Sequence, residues 1–186
     1  NSDRVEIPES WALVKAESED LVDLESFYEY KSGGLMTHAL DLEPGMLGND
    51  NLSKEYQRLG FQRERHLFSL KKEDVLKALI MVNASDTGLN MSDLTNCIHV
   101  IVLDPDDLPY AILNSGLCMV SRYYEQDEVP VLLYPVSYTE SQSIAYEKIY
   151  NLWVLNMQHT DQYFKFMEDL FSRAQKDRFK NSAGFG

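Results

Sequence analysis

The chain is short of cysteine, proline, glycine and cationic side chains, and each shortage excludes something. Two cysteines, Cys97 and Cys118, in 186 residues cannot form a disulfide framework. Both lie in apolar segments and read as buried free thiols, which fits a cytoplasmic setting. Six prolines and nine glycines rule out collagen-like or low-complexity organisation. The 17 Lys and Arg face 30 Asp and Glu, for a net charge of −13. Such a surface repels phosphate backbones and anionic headgroups, so neither nucleic acid nor membrane is an expected partner. A local basic cleft remains compatible with that average. No apolar run is long enough to span a bilayer, and no signal-peptide pattern opens the chain. The four histidines, His38, His66, His99 and His159, are too dispersed for a metal centre. Cys97 and His99 share a strand face, but two ligands do not make a zinc site, so no metal is expected. P-loop, dinucleotide glycine motif and Ser-His-Asp spacing are all missing.

What is present is ordinary globular material, 44% hydrophobic and 25% charged. The pattern predicts a strand over 11–16 and a helix carrying Leu21, Leu24 and Tyr28, ended by Gly33-Gly34. Residues 41–51 read as a loop, and 53–59 as a short helix stopped by Gly60. Runs 65–70 and 77–83 flank the polar 71–74 and predict a hairpin. The apolar run 98–103 predicts a central strand covered on both faces. A helix start at Asp107-Leu108-Pro109 follows, with Leu113, Leu117, Val120 and Tyr124 on one face. Residues 131–134 predict a second buried strand, parallel to the first. Two helices should close the chain, one striped by Ala145, Ile149, Leu152 and Trp153, the other by Tyr163, Phe166, Leu170 and Phe171. Asn1 in place of Met predicts a processed chain or a piece of a longer one, with a neighbouring domain as partner.

The stretch from Ala12 to Leu21 resembles the opening strand and helix of the GNAT acyltransferase superfamily, and the order of elements over residues 12–157 is similar to it. Tyr56 to Phe61 before the hairpin, and Lys148-Ile149-Tyr150 at the last core helix, resemble the Fem-type branch. The resemblance implies an α/β (α+β) fold, a GNAT-like mixed central sheet flanked by helices, as a single domain over 1–180 with a tail at 181–186. It implies transfer of an acyl or aminoacyl group to an amine on a small-molecule or protein acceptor. Acyl-CoA would lie where the two parallel strands splay, along Val100, Ile101, Val102 and Leu103 and against Tyr134, with its pyrophosphate at the next helix N-terminus. Among Tyr134, Tyr138, Tyr146 and Tyr150, the implied general acid is Tyr146, with Asp93 or Glu147 as base. Thr95 and Asn96 belong to a polar stretch that would orient the amine.

One loop departs from the pattern. Asp104-Pro105-Asp106-Asp107-Leu108-Pro109 offers three carboxylates, two prolines and no glycine where the family cradles a pyrophosphate. That argues against ordinary acetyl-CoA binding and for a second function, a non-catalytic domain binding a ligand or a protein on the same fold. A third reading comes from Asn83-Ala84-Ser85-Asp86-Thr87-Gly88, which resembles half of the cyclic-di-GMP signature of PilZ domains. Asn83 is then a ligand contact, and Arg58, Arg63 and Arg65 lie upstream. Each tyrosine, polar turn and arginine also has an ordinary role in a core, a cap or a surface.

Overall fold

A computed structural model of the chain describes residues 7–48, 51–86, 95–124 and 129–151. Strand β1 (Trp11–Lys15) leads into helix α1 (Ser18–Ser32). Asp20, at the third position of α1, accepts the Glu17 amide at 3.0 Å, one arm of a capping box. Gly33 closes the helix at φ 61°, a left-handed conformation that costs glycine nothing. Helix α2 (Leu35–Ala39), a 3-10 turn at Pro44–Met46 and helix α3 (Asn51–Arg58) follow. Next come β2 (Arg63–Lys72), β3 (Val75–Ser85), β4 (Cys97–Val102), helix α4 (Tyr110–Val120), β5 (Val131–Leu133) and the short helix α5 (Val136–Ser141).

The strands form one sheet in the order β1-β2-β3-β4-β5. β1 to β4 pair antiparallel in succession, and β5 runs parallel to β4. The hairpin turns on Glu73 and Asp74, both at positive φ (50° and 64°), the geometry that follows the twist of paired strands. This mixed sheet flanked by helices is consistent with the GNAT-like expectation, including the antiparallel hairpin and the parallel β4–β5 pair.

Alternation along the strands supplies two cores, one per face. Ile80, Val82, Ile98 and Val100 meet Leu113, Leu117 and Val120 of α4 on one side. Leu79, Met81 and Ile101 meet Leu21 and Leu24 of α1, with Leu42, on the other. Each such side chain, wholly buried, contributes about 1.5–3 kcal/mol. As expected, β4 is covered on both faces.

Three expectations need correction. Strand β5 is not buried, since Leu132 is exposed and β4 is its neighbour in the sheet. Cys118 is exposed on α4, because the core face of that helix is taken by Leu113, Leu117 and Val120; Cys97 is buried as expected. The helix expected from Ala145 does not form over the described residues 144–151. There, α5 stops at Ser141, Ser143 takes a positive φ of 54°, and the Ile144 amide turns back to the Thr139 carbonyl at 2.9 Å. Ile144 packs onto the α4-side core instead of starting a new turn. The described residues all belong to the unit Asn1–Asn151. The second predicted helix, the 181–186 tail and the remainder of the 1–180 span lie outside them.

Candidate functional site

The parallel pair β4–β5 creates the first candidate. Their ladder ends at His99 opposite Leu133, while β4 continues through Val102 along β3 alone. The strands therefore part at Val100, where the GNAT-like reading puts its cleft. Val100, Ile101 and Val102 are buried there. Tyr134, just past β5, has a buried hydroxyl without a hydrogen-bond partner among the described residues. Burial first, then the neighbouring Tyr110 and Tyr138 phenols, push its pKa above the ordinary phenol range. Tyr138 is also pushed up, to about 12, by burial and by Tyr110. Its hydroxyl donates to the Leu108 carbonyl at 2.9 Å and pins the loop before α4.

That loop is tied up by its own side chains. Lys77 pairs with Asp104 at 2.8 Å and with Asp107 at 3.0 Å, and Lys72 also reaches Asp107. Lys77 foremost holds the Asp104 carboxyl below the usual range, and Lys72 and Lys77 do the same for Asp107. The Asp107 amide donates to Asp104 Oδ1 at 3.2 Å, and the Tyr110 amide to Gln142 Oε1 at 3.2 Å. Pro105 and Pro109 carry no amide hydrogen at all. The residues present therefore fit a pyrophosphate poorly: the Asp107 and Tyr110 amides are occupied, two prolines offer none, and Lys72 and Lys77 are spent on carboxylates.

A second polar centre lies at the other end of β4. Register puts Arg65 opposite Asn83, and Asn83 opposite Cys97. Asn83 Oδ1 accepts from Arg63 Nη2 at 2.7 Å and from Arg65 Nε at 3.2 Å. Arg63 Nη1 donates to Ser53 Oγ at 2.6 Å, and Arg65 Nη1 to the Leu40 carbonyl at 2.8 Å. The Tyr124 hydroxyl donates to the Asn83 carbonyl at 2.7 Å. Asn83 is thus a buried junction between strands. His99 lies on the same face; burial, then Arg65, lower its pKa to about 4, so it is neutral at physiological pH. Burial raises the Cys97 thiol despite Asn83 and the two arginines, so this thiol is not primed as a nucleophile.

Beside this centre, β2 outruns β1. The ladder between them covers Phe68 to Lys72, and the Ala16 amide makes a further bond to the Leu67 carbonyl at 2.9 Å. From His66 back to Arg63 the outer edge of β2 has no β1 partner. Two adjoining cavities of about 270 and 200 Å³ occupy that gap, sharing Gly48, Arg65 and His66. The first is closed by Ser53, Lys54 and Gln57 of α3, the second by Lys15 and the 41–48 connection.

The candidates read from the sequence scatter over these places. Val100, Ile101, Val102, Leu103 and Tyr134 line or follow the β4–β5 divergence. Asn83, Thr95 and Asn96 sit at the opposite end of β4; Asn83 pairs with Cys97, roughly 10 Å from the divergence at Val100 at about 3.3 Å per residue. There, Ser85 Oγ donates to the Thr95 carbonyl at 3.1 Å and the Ser85 amide approaches Asn96 Oδ1 at 3.4 Å, which closes the connection between β3 and β4. Asp86 accepts the Gln62 amide at 2.8 Å. Tyr146, Glu147, Lys148 and Tyr150 are exposed in an irregular segment, not on a core helix, so the Fem-like helix opening is absent from the described residues. Asp93 and Gly88 lie outside the described residues. Reading the sequence missed Lys15 and Lys54, since isolated surface lysines carry no local signal.

Among the described residues, no three or more His, Cys, Asp or Glu side chains gather to hold a metal ion, and no helix is long and apolar enough to cross a membrane. No protein-family model matches the chain, and no curated protein matches it. Among solved structures, it is similar to "a possible acetyltransferase from Clostridium difficile 630", at 19% identity over 80% of this chain and 98% of that one, with a TM-score of 0.36. An overlap that loose carries no chemistry.

Proposed function

We propose that this chain is a non-catalytic ligand-binding domain built on a GNAT-like sheet. One observation carries the reading: the loop leading into α4 is capped by Asp104 and Gln142 and cross-linked by Lys72 and Lys77. An acyl-CoA pyrophosphate would have to displace those bonds, desolvate the carboxylates and face their charge. The divergence of β4 from β5 persists, while the loop beside it presents three carboxylates to an incoming anion. Tyr146 and Glu147, the acid and base implied by the GNAT resemblance, are exposed in an irregular segment.

The test is calorimetric titration of the chain with acetyl-CoA, together with a thiol-release assay using a panel of amines. Neither saturable binding at millimolar acetyl-CoA nor thiol release above the uncatalysed rate is expected. Acyl transfer, or tight acetyl-CoA binding that protects the amides of residues 104–112 from hydrogen exchange, would overturn the reading and restore an N-acyltransferase.

A further inference from the structure

We infer that the paired cavities along the open edge of β2 are a binding site for a phosphate-bearing small molecule. The cavities exist because β1 ends early and, among the described residues, the 41–48 connection and α3 cover the gap. Charge sets them apart from the rest of the molecule. In a chain of net charge −13, the described residues of their lining include the cations Lys15, Lys54, Arg63 and Arg65 and the carboxylates Asp41 and Glu64. Both carboxylates are engaged. Asp41 accepts the backbone amide and the side-chain amide of Asn51, each at 2.9 Å, and Glu64 pairs with His66 at 3.2 Å.

The two kinds of cation play different parts. Arg63 and Arg65 are held in the sheet by Asn83 and supply a rigid positive wall. Lys15 and Lys54 are exposed and form no ion pair among the described residues, so their ammonium groups can swing onto an anion without breaking another contact. His66 lies at the junction of the two cavities, its ring against Tyr123 with centroids 4.2 Å apart. A phosphate is the anion such a set suits, because tetrahedral oxygens can take several donors from different directions. Volume limits the rest of the ligand. Drug-sized pockets run from about 300 to 1,000 Å³, so about 270 Å³ holds a phosphate and a small substituent but not a whole dinucleotide.

The inference deepens the binding-domain reading and rests on it, but the two fail separately, since acetyl-CoA would act on residues 104–112 and phosphate on β2 and α3. The full chain is titrated with inorganic phosphate, and in a second arm with cyclic-di-GMP, while amide shifts are followed by NMR. Saturable shifts with phosphate at Lys54, Arg65 and His66 are expected. The Lys15→Glu/Lys54→Glu double variant should weaken phosphate at least about tenfold, whereas Lys31→Glu on α1 should change it less than about twofold. Thermal melts confirm that the variants fold. Phosphate binding without cyclic-di-GMP binding supports a small phosphomonoester; cyclic-di-GMP saturating the same residues would overturn the size limit on the ligand. No saturable phosphate shift, shifts that map elsewhere, or equal weakening by Lys31→Glu would overturn the inference.

Discussion

Asp20 is 2% exposed and fully engaged, although it lies in one of the chain's acidic stretches. Its carboxylate accepts from the Glu17 amide, from Ser69 Oγ at 2.7 Å and from Lys71 Nζ at 2.7 Å, joining α1 to β2. Burial alone would raise its pKa, but Lys71, Glu17 and Ser69 together outweigh it and the folded value is lowered. A lowered carboxyl pKa stabilises the fold fully above the unfolded value of 3.8, and that stability is lost as pH falls through the folded value. Asp20→Asn should therefore cost about 3 kcal/mol at neutral pH, leaving Lys71 partly buried without its partner. The variant should also lose stability less steeply than the parent below about pH 4 in urea unfolding followed over pH. An unchanged acid slope would mean that Asp20 is not the group responsible. This residue was legible only as part of an acidic first turn. Its partners Ser69 and Lys71 lie some fifty positions on, and no local pattern names them.

At the scale of elements, α4 holds a glycine in its middle turn. A Cβ built on Gly116 would meet Ile80 Cδ1 at 3.5 Å and Leu13 Cδ1 at 3.8 Å, ordinary contact distances, and its φ is not positive. Gly116→Ala should therefore stabilise the protein by about 1 kcal/mol through helix propensity. That corresponds to a rise of about 2–4 °C in Tm; a fall would mean that Leu13 cannot yield. The hairpin was legible because apolar runs flank the polar 71–74, yet Glu73 and Asp74 are not the usual residues of a tight turn. Pairing along ten residues of β2 holds them at positive φ. The helix from Ala145 was misread for the opposite reason. Its apolar spacing fits a helix, but Ser143 reverses the chain and Ile144 goes to the core. Periodicity cannot see a turn set by tertiary packing.

For the whole molecule, the excess of 13 negative charges means self-repulsion in the folded state. Raising salt from about 0.02 to 0.3 M shortens the Debye length from roughly 20 Å to about 6 Å, so Tm should rise over that range. A fall would show that short ion pairs such as Lys77 with Asp104 outweigh the long-range field. By itself the sequence determined the α/β class, the hairpin, the two core faces of the sheet and the parallel β4–β5 unit, because each depends on spacing along one stretch of chain. It also flagged the loop at Asp104–Pro109, whose residue types alone are hostile to a pyrophosphate. Only the tertiary structure decided that Lys72, Lys77 and Gln142 close that loop, and that Asn83 is a buried junction for Arg63 and Arg65. It likewise decided that Lys15 and Lys54, thirty-nine positions apart, border one pair of cavities. The reason is strand register: it brings distant residues within a few ångströms, and the mismatch in length between β1 and β2 leaves the gap that they line.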